Sequence, residues 1–274
     1  GAVAGLASGL FGIGGGIVIV PILLLSFAAQ GISPEVATHV AIATSLACIA
    51  VTSFSSIYTH YQKGVLDWRI IKLLIPGIVT GSLIGTLFFV SLEGLLLQVL
   101  LGGFLIISGL QMLIKRSEGT QVASLKPPVL MLSGIGIGGI SSLFGVGGGV
   151  FTTPLLTHFG VRIHSAIGIA AVGGFCIAVS ASIIYGSTAM VSSSLPDHSL
   201  GYIFLPAWIG IIITSTPFAR LGAILAHRTD ANQLRKYFGY FLLFVGARFG
   251  SIPRDRLSVS LQRWFKCQIC MESF

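Results

Sequence analysis

Apolar residues run through this chain in long blocks that ionisable residues interrupt only at intervals. Stretches free of Asp, Glu, Lys and Arg cover residues 1–34, 36–62, 73–92, 94–114, 127–161, 163–196 and 198–219, and a last one runs from 237 to about 247. A helix crosses a bilayer with about 20 apolar residues. Most of these stretches therefore predict one crossing helix plus its loop. Residues 1–34 and 127–161 do not fit so simply, being long for one crossing and short for two. A re-entrant pair of short helices suits both.

These two long stretches carry the same glycine-rich pattern. Residues 5–24 read GLASGLFGIGGGIVIVPILL and residues 139–156 read GISSLFGVGGGVFTTPLL. With Phe11 over Phe144, the residues Gly12, Gly14, Gly15 and Gly16 fall over Gly145, Gly147, Gly148 and Gly149, and Pro21 falls over Pro154. Copies this similar mark an internal duplication. Gly31 and Ala37 continue it onto Gly160 and Ala166. Gly64, Gly85, Gly102 and Gly109 match Gly201, Gly222, Gly239 and Gly246 at a constant offset. The expected organisation is a first repeat over residues 1–116, a connecting loop over 117–128, a second repeat over 129–247 and a basic polar tail over 248–274. The expected fold is all-α and polytopic. Each homologous half holds a Gly-rich broken, re-entrant segment and three transmembrane helices, and the halves form inverted repeats.

Four glycines within residues 12–16 make a poor helix interior. Strongly apolar flanks then predict a short helix, a break and a second short helix. Inside a membrane, such a break is tolerated only where protein or a polar cavity satisfies the freed backbone groups. Paired broken segments at matching positions of two halves point to a transporter's substrate site. Small residues also let helices pack closely, and the glycines alone leave both readings open. Two phosphate-binding motifs are excluded. Ile17 and Val150 stand where a dinucleotide fingerprint needs its third glycine, and no lysine follows either run as a P-loop requires.

Composition agrees with the pattern. The 274 residues are 54% hydrophobic and 9% charged, with mean hydropathy +0.94, against about 25% charged residues in a soluble domain. The net charge of +8 sits in short loops and the tail, which is topology charge rather than a nucleic-acid patch. The first apolar stretch belongs to the repeat, so no separate signal peptide is expected. Cys48 and Cys176 lie in apolar stretches as packing residues. Cys267 and Cys270 form a single CxxC in the tail, which without a second ligand pair is weak evidence for zinc or redox chemistry.

Loop charge bears on orientation. Lys63, Arg69 and Lys72 follow the second stretch, Lys115, Arg116 and Lys126 join the halves, Arg162 follows the second Gly motif, and Arg228, Arg235 and Lys236 precede the last helix. If the Gly segments are re-entrant, all of these fall on one side and the halves are inverted. If those segments cross fully, the basic residues divide between the two sides. The positive-inside rule prefers the inverted arrangement, although Arg248, Arg254, Arg256, Arg263 and Lys266 of the tail then lie outside.

Several single residues are candidates for chemistry. Thr44 and Ser45 fall at mid-membrane depth in the segment after the first motif, where hydroxyls either donate to an anion or bond a neighbouring helix. Gly173 and Gly174 are their counterparts in the second half. Arg220 lies deep in an apolar stretch, either as an anion contact or as a side chain snorkelling towards a helix end. His39, His60, His158 and His164 lie near segment ends, where an interfacial hydrogen-bonding role competes with proton relay. The sequence shows no HExxH, no metal-ligand cluster and no paired carboxylates. No metal and no cofactor is expected.

The doubled GLFGIGGG…P pattern resembles the TauE/SafE family of sulfite-exporter-like membrane transporters, over residues 5–246. The resemblance implies a multi-pass protein of the plasma (inner) membrane. It also implies export of small sulfur-containing or organic anions, such as sulfite or organosulfonates. Its signature carries over to Gly12, Gly14–Gly16, Pro21, Gly145, Gly147–Gly149 and Pro154. The expected partners are the small anion, the lipid bilayer and a coupling ion, with no nucleic acid. No ATP motif is present, so an ion gradient or the substrate gradient would drive transport. The alternative is a membrane-embedded enzyme or a non-transporting subunit. An enzyme would need a clustered nucleophile, base or metal set, which the sequence does not display.

Overall fold

The computed structural model describes residues 2, 4–6, 15–92, 94–113, 127–188, 196, 198–225, 240, 243–244 and 246–247. Gly12, Gly14, the inter-repeat basic residues Lys115, Arg116 and Lys126, and the tail with Cys267 and Cys270 lie outside the described residues. A short helical piece at residues 4–6 precedes the first numbered helix. Helices α1 (Gly16–Ala29), α2 (Pro34–Gln62), α3 (Trp68–Val90) and α4 (Gly94–Leu113) belong to the first half. Helices α5 (Pro127–Phe144), α6 (Gly149–His158) and α7 (Ile163–Thr188) begin the second. A two-residue antiparallel hairpin of β1 (Ser199–Leu200) and β2 (Ile203–Phe204) then leads into α8 (Leu205–Leu225). Among the described residues, α2, α3, α5 and α7 contain windows long and apolar enough to cross a membrane. The chain is an all-α multi-pass membrane protein.

Two boundaries differ from the apolar stretches. Helix α3 starts at Trp68, ahead of Arg69 and Lys72, because the Asp67 carboxylate accepts from the Arg69 N–H at 2.9 Å and caps the first turn. The stretch that begins at His198 opens on the hairpin and becomes helical only at Leu205.

The duplication is written into the backbone. Gly31 (φ 74) and Gly160 (φ 80) stand just past α1 and α6 in the left-handed region. Ile32 N–H donates to Phe27 O at 3.1 Å, and Val161 N–H to Leu156 O at 3.0 Å, so both helices close with the same glycine cap. Gly64 (φ 64) and Gly201 (φ 61) form another matched pair.

Glycines also set the helix directions. A methyl on Gly77 would run into the Met131 carbonyl, one on Gly81 into Ile135, and one on Gly85 within 2.7 Å of Gly139 Cα. Contacts that climb together in number make α3 and α5 parallel, with backbones touching where no side chain intervenes. Helices α2 and α7 run the other way relative to each other. Phe54 meets Phe175 with ring centroids 6.3 Å apart, while His60 Cβ is 3.4 Å from where a Gly168 methyl would stand. Helix α7 is parallel to α3, since Ile78 packs on Gly173 and Ser82 bonds Ser180 Oγ at 2.9 Å.

Helix α6 reverses this direction. Its N-terminal Gly148 lies against Gly174 and Ile177 of α7, while its far end, His158, joins Ile163 through a short turn. Helix α6 is therefore antiparallel to α7 and to α5, and the chain turns back through residues 145–148. Around this turn α2 is the inner helix, with Val40, Ala41, Ile42, Ala43, Leu46 and Ile49 wholly buried. Outward faces are apolar, as at Ile84, Leu87 and Phe88 of α3 and Leu132 of α5, the distribution a lipid environment favours.

Candidate functional site: the crossing of the two glycine motifs

Helix α1 starts at Gly16, and its N-cap Gly15 is left-handed at φ 74 and ψ −12. The Gly15 carbonyl accepts from the N–H groups of Val18 and Ile19, both at 3.0 Å. In the second copy Gly145 is left-handed (φ 64), and the N-cap Gly148 has φ −51, so matched residues Gly15 and Gly148 adopt different conformations. The Gly148 carbonyl accepts from Phe151 N–H at 3.2 Å and Thr152 N–H at 2.8 Å.

The two motifs meet in the core. A methyl on Gly16 would collide with the Gly145 carbonyl and come within 2.8 Å of Ile49 Cδ1 and 3.0 Å of Val146 Cα. Ser45 of α2 donates its hydroxyl to the same Gly145 carbonyl at 2.9 Å. The space beside Gly145 is closed by Val20, and by Ile42 Cα at 3.1 Å from the methyl position. A methyl on Gly174 would lie 3.5 Å from Gly148 N, 3.6 Å from Gly147 Cα and 3.7 Å from Ser53 Oγ. Gly15, Gly16, Ser45 and residues 145–149 are all buried.

Other expected site residues take different places. Thr44 is wholly buried, but its hydroxyl oxygen accepts from the Phe204 N–H at 3.0 Å, so it ties α2 to the hairpin. Pro21 and Pro154 stand inside α1 and α6. Each lacks the N–H that would bond the carbonyl four residues earlier, Ile17 or Val150. Arg220 lies on α8, and its side chain is outside the described residues.

Thr152 was not among the sequence candidates. It is wholly buried in the first turn of α6, and its hydroxyl has no hydrogen-bond partner among the described residues. That hydroxyl stands 3.4 Å from the position of a Gly148 methyl. The hydroxyl of Ser141, before the turn, is likewise buried and unpartnered. The repeat hides Thr152, because its counterpart in the first motif is Ile19. The only sequence signal is the Thr152–Thr153 pair that interrupts an apolar run.

Chemically this is a neutral, backbone-rich site. No Lys, Arg, Asp or Glu is buried among the described residues. No group of His, Cys, Asp and Glu there could hold a metal ion. First-turn N–H groups of a helix lack intrahelical acceptors, and a helix N-terminus carries partial positive charge. Helices α1 and α6 both begin at this crossing, which makes it a candidate cradle for a small anion.

The chain matches the family profile described as "Sulfite exporter TauE/SafE" over residues 1–249. It belongs to the TauE/SafE family. Among its relatives in this family is a "Probable membrane transporter protein" of Haemophilus influenzae, 33% identical over 246 residues that cover 89% of this chain and 93% of the relative. A protein of the same description from Methanocaldococcus jannaschii is 28% identical over 239 residues, covering 86% and 87%. One from Bacillus subtilis is 27% identical over 219 residues, covering 77% and 86%. No solved structure matches. Family membership and these names make this TauE/SafE member a membrane transporter rather than an enzyme. The profile includes both glycine motifs and every described helix.

Proposed function

We propose that this chain is a secondary transporter, an exporter in the plasma membrane, of small sulfur-containing or organic anions such as sulfite or organosulfonates. The observation that carries the reading is the meeting of the two glycine motifs, where the start of α1 touches the Gly145–Val146 backbone beside the start of α6. Backbone N–H groups of Gly16, Ile17, Gly149 and Val150 would donate to the oxyanion, with Thr152 and Ser141 supplying hydroxyls. Gly12, Gly14, Gly15, Gly147 and Gly148 would let the backbone approach the anion closely. Ser45 would hold the Gly145 carbonyl away from it. Arg220 remains a candidate contact from α8. Among the described residues the donors at this site are neutral, and such donors bind anions weakly enough to release them.

In the same reading the halves are inverted repeats with two re-entrant glycine hairpins. Support comes from the matched helices α2 and α7, which run antiparallel, and from the reversal between α5 and α6. Rocking of one half against the other about the crossing would alternate access, driven by an ion gradient or the substrate gradient. Purified protein in liposomes, loaded in turn with sulfite, sulfoacetate, taurine and simple carboxylates, tests this directly. A saturable efflux of at least one sulfur oxyanion is expected. Absence of flux for every anion in the panel would remove the substrate assignment.

A further inference from the structure

Away from the glycine crossing, the turn between α2 and α3 and the turn before α7 together line an open groove of about 690 Å³. Asp67, Trp68 and Arg69 line it from the first half, and Arg162, His164 and Ser165 from the second. We propose that this groove binds the phosphodiester headgroup of an anionic phospholipid. Three observations converge on that ligand.

The first is charge. Arg69 and Arg162 are exposed and face one space, and Lys63 and Lys72 flank it on the adjoining turns. Asp67 is the acidic group in the lining, and its carboxylate is engaged by the Arg69 N–H at 2.9 Å. Guanidinium groups pair with phosphate oxygens in bidentate fashion.

The second is depth. Tyr58 (53% exposed), Tyr61 (61%) and Trp68 (52%) lie at this end of α2 and α3. Exposed Trp and Tyr at helix ends mark the headgroup level of a bilayer. Basic pockets between transmembrane helices on the cytoplasmic side suit phospholipid headgroups.

The third is size and continuity. The groove is far larger than one tetrahedral oxyanion needs. Phe54 of α2 and Leu73 of α3 are exposed apolar side chains on the two helices whose ends line the groove, and acyl chains can lie against them. A bound lipid would bridge the two halves at their basic face, since each contributes one arginine. This inference stands on membrane residence and not on the transported substrate.

The test uses the full chain in nanodiscs or detergent, titrated with phosphatidylglycerol or phosphatidylcholine and followed by native mass spectrometry and thermal melting. Phosphatidylglycerol is expected to stay bound and raise the melting temperature, with no such effect from phosphatidylcholine. Arg69→Gln with Arg162→Gln should weaken phosphatidylglycerol binding by at least tenfold, on the order of fivefold for each arginine. Lys63→Gln with Lys72→Gln, which flank the groove without lining it, serves as the control pair and should weaken binding far less. The proposal is overturned if the two lipids act alike or if the control pair weakens binding equally, which would be bulk surface charge. It is also overturned if inorganic phosphate or sulfate at equal concentration displaces the lipid, which would make the groove a free-anion site. Arg69→Lys with Arg162→Lys keeps the charge and guards against a folding artefact; it should retain part of the selectivity.

Discussion

The Ser45 hydroxyl donates to the Gly145 carbonyl oxygen at 2.9 Å, across 100 positions of sequence. The bond is buried and joins the inner helix of the first half to the glycine turn of the second. Removing it in Ser45→Ala leaves a buried carbonyl with one partner fewer, at a cost of about 1–2 kcal/mol. A lower melting temperature and reduced anion efflux are expected together. Wild-type efflux in Ser45→Ala would show that this contact does not shape the transport site.

The two N-cap glycines should respond differently to alanine. Gly15 is left-handed, so Gly15→Ala carries backbone strain of about 1–2 kcal/mol whatever the surrounding space. Gly148 has φ −51, and a methyl added there would stand 2.9 Å from the flexible Ile177 Cδ1. Gly148→Ala should therefore fold with a melting temperature near wild type, yet lose efflux because its methyl occupies the start of α6. Thermal melting beside liposome efflux separates the two effects.

Glycines along the α3–α5 crossing should be intolerant where backbones touch and tolerant elsewhere. A methyl on Gly81 enters the Ile135 backbone, whereas Gly136 has no neighbour within 4 Å of its methyl position. Gly81→Ala is expected to cost about 3 kcal/mol or to prevent assembly. Gly136→Ala should be neutral or stabilising by up to about 1 kcal/mol. Equal melting temperatures for the two variants would contradict this helix packing.

Thr152→Val tests the missed hydroxyl. Its oxygen is buried and unpartnered among the described residues, so the isosteric change should leave stability unchanged or raise it slightly. If the hydroxyl contacts the anion, efflux should show a raised KM with the protein fully folded. An unaltered KM would place Thr152 outside the anion's path.

The groove shared by Arg69 and Arg162 puts the α2–α3 turn and the turn before α7 at one end of the molecule. Single cysteines at Lys63 and Arg162, in a background lacking Cys48, Cys176, Cys267 and Cys270, should be labelled from the same, cytoplasmic side. A cysteine at Asp197 should be labelled from outside. Labelling of the first two from opposite sides would falsify the inverted arrangement.

Membrane residence, the duplication and the glycine motifs follow from local composition and spacing. Apolar length is a property of each segment taken alone, and matched glycines such as Gly31 with Gly160 reveal themselves by position. Ser45 was legible as a polar residue at mid-membrane depth in the segment that follows the first motif. The partner of each polar group was not. Thr44, next to Ser45, turns to the Phe204 N–H instead of the crossing, because successive helix positions point about 100° apart and the hairpin happens to cover that face. Thr152 stayed hidden because the duplication pairs it with Ile19, and function need not respect the symmetry of the fold.

Helix direction was only partly accessible, through the one-sided distribution of loop charge. It became visible in contacts between distant segments: Phe54 on Phe175, Gly81 on Ile135, and Gly16 on Gly145. Hydrophobic pattern specifies how much of each helix is buried, but it is nearly blind to which way a neighbour runs. A glycine, by contrast, removes a side chain at one point and admits another backbone there. The sequence by itself therefore determined where backbones could meet, and the tertiary structure decided which ones do.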